Sequence, residues 1–288
     1  MSTHSDKLRS DFKASDDIRD AGLTTPEDIE RFDDTRYGDR SPWQALDVYR
    51  PRARAGEALP VIVSIHGGGW VYGDKERYQY YCMSLAQRGF AVVNFSYRLA
   101  PEWKYPASME DTNAVFHWVF DHAAEYGLDT AHIFAVGDSA GAHMLAIYSC
   151  ICSNPDYAAR YDFAPPKGFV PTAVALNCGA YLMNAQREPL IADLMPGGGT
   201  EEEYALISPL DHMTGAFPPA FIMTSNDDFL KPQAPVLAAR LAELDVPFLY
   251  RYYGGPAQRL GHVFHCNMRL EAGKQCNDEE CDFFMRFV

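Results

Sequence analysis

The chain has 288 residues, with 39 acidic against 25 basic side chains and a net charge of −14. Nucleic acid and anionic membrane surfaces would repel such a charge, so neither is an expected partner. The length and a hydrophobic content of 47% suit one large domain with a sizeable core, and no linker divides it.

Residues 1–40 are polar and rich in Asp and Arg, with a helix start predicted at Thr25-Pro26-Glu27-Asp28. We read them as a helical, cap-like segment. Residues 1–20 lack the apolar core of a signal peptide, and no apolar run is long enough to span a membrane. The seven cysteines are odd in number and scattered, which fits free thiols in a reducing cytoplasm. Cys150/Cys152 and Cys276/Cys281 lack the spacing of a zinc site, so no metal is expected.

From residue 61 onward, short apolar runs alternate with amphipathic stretches. Strands are predicted at 61–65, 90–95, 132–136, 173–176, 220–223 and 247–252. Each is four to six residues long, as strands buried on both faces should be. Helical spacing of Ala114, Val115, Trp118 and Val119 predicts a helix over 107–126, with Pro106 before it and Gly127 after it. Leu237, Leu241 and Leu244 mark another helix. Phe283, Phe284, Phe287 and Val288 mark a last one that docks on the sheet. The alternation implies a mainly parallel α/β sheet flanked by helices. Residues 181–209 interrupt it as an insertion near the pocket, where lids and binding loops usually lie. Its Leu182, Met183, Leu190, Ile191, Leu194 and Met195 read equally well as pocket wall or as core.

Gly137-Asp138-Ser139-Ala140-Gly141 follows an apolar strand and opens a helical run. That is the context of a nucleophile elbow, in which a tight strained turn holds a serine hydroxyl above the sheet. Side chains at Gly137 or Gly141 would collide with neighbouring backbone. His66-Gly67-Gly68-Gly69-Trp70 ends the strand at 61–65. Such glycine turns form the oxyanion loops of lipases and esterases, because backbone N–H groups can approach substrate with no Cβ in the way. The N–H groups of Gly67, Gly68 and Ala140 are the candidate oxyanion donors.

A serine hydroxyl needs a histidine to take its proton and a carboxylate to orient that histidine. In this fold they follow in the order acid, then histidine. Asp227 and Asp228 both follow the strand at 220–223. His262 follows the last strand, and His265 is its rival. His117 and His122 sit on a helix, and His143 lies in the helix after Ser139, where packing is the simpler role.

These residues resemble the hormone-sensitive-lipase-like family of α/β-hydrolases, which includes bacterial short-chain esterases and acetyl esterases. The resemblance runs from about Leu46 to the C-terminus. Besides the glycine loop and the elbow, it includes Tyr97-Arg98-Leu99-Ala100-Pro101-Glu102, Tyr105-Pro106-Ala107, Glu110-Asp111, Ser208-Pro209-Leu210 and Pro218-Pro219. It implies the α/β-hydrolase fold. It selects Asp228, two residues before Leu230, and His262, two residues before Phe264. It also implies that His66 supports the oxyanion loop and is not the base. The implied activity is hydrolysis of short-chain, acetyl-like esters by Ser139, His262 and Asp228 through an acyl-enzyme, with no cofactor. The expected partner is a small ester, with an acetylated sugar as one candidate, and a homodimer is the assembly that relatives suggest. The chain departs from the family pattern before the acid, where Ser225 and Asn226 replace the usual glycine. Its N-terminal segment is also short and polar. Two other readings share these motifs: an amide or formamide hydrolase resembling kynurenine formamidases, and a hydrolase-fold binding protein without turnover. Trp43, Trp70 and Trp103 could stack on a sugar ring.

Overall fold

The computed structural model describes residues 3–183 and 189–288, so positions 184–188 of the 181–209 insertion lie outside the described residues. Eight strands form one sheet: β1 Ile29–Arg36, β2 Ala45–Pro51, β3 Leu59–Ile65, β4 Ala91–Phe95, β5 Leu128–Asp138, β6 Val174–Asn177, β7 Ala220–Ser225 and β8 Phe248–Tyr253. Their spatial order is β1-β2-β4-β3-β5-β6-β7-β8. Neighbours from β4 to β8 run parallel, and β1 and β2 are antiparallel. The helices are α1 Thr3–Asp20, α2 Lys75–Ala86, α3 Ala107–Asp121, α4 Ala123–Tyr126, α5 Ala140–Ser153, α6 Pro155–Ala158, α7 Pro189–Leu194, α8 Glu201–Leu206, α9 Pro209–His212, α10 Gln233–Glu243 and α11 Glu271–Phe284.

The six predicted strands are β3 to β8. Within β3, Val61, Val63 and Ile65 face a core shared with Met109 and Phe116 of α3 and Leu145 of α5. Ile62 faces the opposite core, with Met83 of α2 and Phe284 of α11. Alternate side chains thus enter two helix layers, which is why these strands read as continuous apolar runs. Phe284 stacks on Phe134 of β5 at 4.7 Å, so the last helix docks on the sheet as expected. Val288, however, is 53% exposed and does not share that seat. The helix predicted over 107–126 is broken at His122, whose φ of −112° leaves the helical range. Gly127 ends α4 in the left-handed region at φ 59°.

Three expectations need correction. Thr25 does not start a helix: its hydroxyl accepts from Arg31 at 2.8 Å, and the chain turns at Pro26 into β1. The helix of this segment is instead α1, with Lys7–Asp11 and Lys13–Asp17 pairs one turn apart on its surface. Residues 1–40 are therefore a helix followed by a strand, not a wholly helical segment. The apolar-run rule also missed β1 and β2. β1 is an edge strand with an exposed polar face. β2 buries Asp47 and Arg50, which the rule counts as breakers. Asp47 holds the Lys75 ammonium at 2.9 Å and the Tyr49 hydroxyl at 2.8 Å. Arg50 donates to the carbonyls of Glu57 and Tyr126. Such pairing is what allows charge in a core.

Candidate active site

Parallel strands β5, β6, β7 and β8 are neighbours, so their C-terminal ends share one rim. Ser139 follows β5, Cys178 follows β6, Asp228 lies just past β7, and His262 lies beyond β8. Among the described residues, six non-glycine residues have positive φ, and four of them are on this rim or its adjoining loop: Trp70, Ser139, Cys178 and Val263. Strain of this kind gathers where function over-determines the backbone.

The elbow is as tight as the sequence requires. Ser139 has φ 52° and ψ −117°, and α5 begins at the next residue. A Cβ on Gly137 would lie 2.6 Å from the Gly141 carbonyl oxygen, and one on Gly141 only 2.0 Å from that of Ile65. Ser139 donates its N–H to the Asn177 carbonyl at 2.9 Å, which ties the elbow to β6.

His262 Nδ1 donates to Asp228 Oδ1 at 2.7 Å. The same oxygen accepts the Leu230 N–H at 2.9 Å, and Oδ2 accepts the Thr224 hydroxyl at 2.7 Å. Burial pushes the Asp228 carboxyl up, but the bonds from His262, Thr224 and Leu230 outweigh it and hold the group below its ordinary value. Asp227 is placed differently: its side chain is 44% exposed and pairs with Arg259 at 2.6 Å. His265 is fully buried edge-on to Tyr81 at 5.1 Å, and burial lowers its pKa to about 3. His143 packs as expected: its Nδ1 accepts the Trp70 indole N–H at 3.2 Å and its Nε2 donates to the Ile207 carbonyl at 2.8 Å.

His66 donates from Nδ1 to the Gly67 carbonyl at 2.7 Å and stacks on Tyr97 at 4.1 Å. Burial lowers its pKa to about 4, so it is a neutral strut of the glycine loop. Tyr97 donates to the His66 carbonyl at 2.8 Å. The adjoining Arg98 is buried and grips Asp111 through its backbone N–H at 2.8 Å and its Nε at 2.9 Å. The Tyr97-Arg98 and Glu110-Asp111 motifs are therefore a clamp behind the loop.

One expected oxyanion donor is corrected. The Gly67 N–H points inward, to Asp138 Oδ1 at 3.2 Å and to the Tyr78 oxygen at 3.0 Å. Among the described residues, the N–H groups of Gly68, Gly69 and Ala140 have no acceptor. Gly68, with φ 118°, and Gly69, with φ 60°, both occupy the left-handed region, which three consecutive glycines make accessible. The sequence offered three glycines but not which N–H is already engaged, so Gly69 was not among its candidates.

The cap-like segment and the insertion both reach the glycine loop, through residues the sequence did not single out between pocket wall and core. A Cβ on Gly69 would meet Leu190 Cδ1 at 2.9 Å and Leu8 Cδ1 at 3.7 Å, so α1 and α7 close over the loop. Ile191, Leu194 and Met195 are core, and Met183 is buried with them. Leu182 is half-buried, and Leu190 is the insertion residue that walls the loop. Phe229 lies 4.4 Å from the His262 ring and is 71% exposed. Trp70 is buried, whereas Trp43 and Trp103 line a separate cavity of about 550 Å³ with Arg9 and Tyr72, which holds none of the expected site residues. The Sγ of Cys178 lies with ligand atoms of Asp228 and His262 inside a 4.8 Å cluster.

A family model described as the α/β hydrolase fold matches residues 62–265. The chain belongs to that family. It is 33% identical to carboxylesterase NlhH of Mycobacterium tuberculosis over 205 residues, 65% of this chain and 62% of that relative, so it spans less than two thirds of the relative's length. It is 28% identical to versiconal hemiacetal acetate esterase of Dothistroma septosporum over 229 residues, 72% of this chain and 68% of that one. The solved esterase B of Lactobacillus rhamnosis, inhibited by a C4-C4 tributyrin phosphonate, superposes with a TM-score of 0.90 at 25% identity, covering 99% of this chain and 94% of that one. Together with the family match, these relatives support a carboxylic ester hydrolase of the hormone-sensitive-lipase-like kind. No helix among the described residues is long and apolar enough to cross a membrane.

Proposed function

We propose that the chain hydrolyses short-chain, acetyl-like esters, with Ser139 as nucleophile, His262 as general base and acid, and Asp228 as the carboxylate that orients it. The observation that carries this reading is the 2.7 Å bond from His262 Nδ1 to a buried Asp228, on the rim that presents the strained Ser139. With Nδ1 donating to Asp228, the ring's Nε2 is the nitrogen that accepts the serine proton.

Ser139 Oγ attacks the ester carbonyl as its proton passes to His262 Nε2. Asp228 stabilises the imidazolium without taking that proton. The carbonyl oxygen becomes an oxyanion and receives N–H groups from Gly68, Gly69 and Ala140. Because these donors are already free and oriented, little reorganisation accompanies the step. His262 then protonates the leaving alkoxide, and the acyl group stays on Ser139. Water repeats the sequence, with His262 taking its proton, and the carboxylic acid leaves.

Short acyl groups suit the close approach of Leu8 and Leu190 to the oxyanion loop. The acetate and tributyrin named for two relatives agree with that size. An acetylated sugar remains a candidate natural ester. The test is a p-nitrophenyl series from acetate to laurate, with wild type and Ser139→Ala side by side. We expect a maximum at acetate or butyrate and a loss of at least about 1,000-fold in the variant. A folded alanine variant with near-native turnover would overturn the assignment.

A further inference from the structure

We propose that Cys178, Asp228 and His262 form a binding site for a soft divalent cation, zinc in particular, and that zinc held there inhibits hydrolysis. The inhibition rests on the reading of Asp228 and His262 as the working pair, whereas the binding does not.

The three side chains offer one sulfur, one oxygen and one nitrogen, all within 4.8 Å of one another. Zinc bonds to such atoms are about 2.0–2.3 Å long, which puts tetrahedral ligand atoms about 3.3–3.8 Å apart, so the sulfur would close in while the 2.7 Å His262–Asp228 pair opens around the ion. A thiolate with an imidazole favours zinc or cobalt over magnesium and calcium, which take oxygen ligands. The thiolate and the carboxylate also cancel the charge of the ion, which matters where Cys178 and Asp228 are both buried. Cys178 is held in place: its φ is 46°, and its N–H donates to the Met223 carbonyl at 2.8 Å. His262 keeps 18% of its side chain exposed, which gives the ion an approach and leaves its fourth position to water.

Without metal, burial pushes the Cys178 thiol far up, so the group is protonated. On binding, the S–H bond breaks, a Zn–S bond forms and the proton leaves to water. The imidazole stays neutral, with its one proton on the nitrogen that the metal does not take. An imidazole held by zinc cannot orient on Asp228 and accept the proton of Ser139, so turnover stops.

The test uses the full chain with cobalt(II) as a spectroscopic probe and zinc as the inhibitor. Wild type should show a thiolate-to-cobalt charge-transfer band and lose p-nitrophenyl butyrate hydrolysis reversibly, with EDTA restoring it. Cys178→Ser should lose the band and need at least about tenfold more zinc for half-inhibition of its own metal-free rate. Cys178→Ala, read in the same way, covers the case in which a buried hydroxyl unfolds the chain. Equal zinc inhibition in the wild type and a folded variant would overturn the site, as would a wild type with no cobalt band. A chain that is inactive before any metal is added counts against the esterase reading instead, and the cobalt band still tests the site.

Discussion

Asp138 accepts the backbone N–H of Gly67 at 3.2 Å and stands immediately before Ser139. One buried carboxylate therefore fixes the nucleophile turn against the glycine loop, and the Tyr78 hydroxyl supports it at 2.8 Å. The bond engages the Gly67 N–H, whereas among the described residues the next two N–H groups have no acceptor.

That carboxylate should make stability depend on pH. Burial raises Asp138 to about 6 from an ordinary value of 3.8. Between those values the folded chain keeps a proton that the unfolded chain has released, so the folded state loses stability as pH rises through the window. Asp138→Asn has no such titration. Denaturant unfolding should show the variant gaining on wild type from pH 4 to pH 7, and a constant difference would contradict the assignment.

Glu280 should behave similarly, from the other side of the elbow. It is buried in α11, accepts Asn177 Nδ2 at 2.6 Å and Tyr81 at 2.9 Å, and burial raises it to about 7. Asn177 in turn receives the Ser139 N–H at 2.9 Å. Among the described residues the Asn177 Oδ1 has no partner, so a flipped amide could accept from a glutamine at 280. Glu280→Gln should be relatively more stable at pH 8 than at pH 5, by the same sign argument. The comparison is again a pair of unfolding curves at each pH.

The two adjacent aspartates should separate cleanly in kinetics. Asp228→Asn removes the negative charge and offers His262 Nδ1 an amide donor that favours the other tautomer, and it should lower kcat by about 10³–10⁴-fold. Asp227→Asn removes an exposed pair with Arg259 and should change kcat by less than about twofold. Steady-state rates on one p-nitrophenyl ester decide between them.

Leu190 should set the acyl range. Its Cδ1 stands 2.9 Å from where a Gly69 Cβ would be. Leu190→Ala opens space beside the oxyanion loop and should move the preferred chain about two carbons longer. The acetate-to-laurate series measures the shift. An unchanged profile would place the acyl group elsewhere.

Much of the candidate site's local geometry was legible in the sequence because it depends on local backbone. The elbow needs glycines at 137 and 141, and the loop after β3 needs its run of three. The strands β3 to β8 read directly as apolar runs because both their faces are covered. The family pattern separated Asp228 from Asp227 and His262 from His265, where the residues alone left both pairs open. What stayed hidden depends on distant partners. β2 hid behind charges that partners such as Lys75 and the carbonyls of Glu57 and Tyr126 make tolerable. Only tertiary structure decided that Gly67 serves Asp138, that Leu8 of α1 and Leu190 of α7 cover the loop, and that Cys178 lies beside the Asp228–His262 pair. The physical reason is reach: a glycine turn is specified by its own atoms, whereas an engaged N–H, a packed leucine or a thiol near a carboxylate is specified by chain far away in sequence.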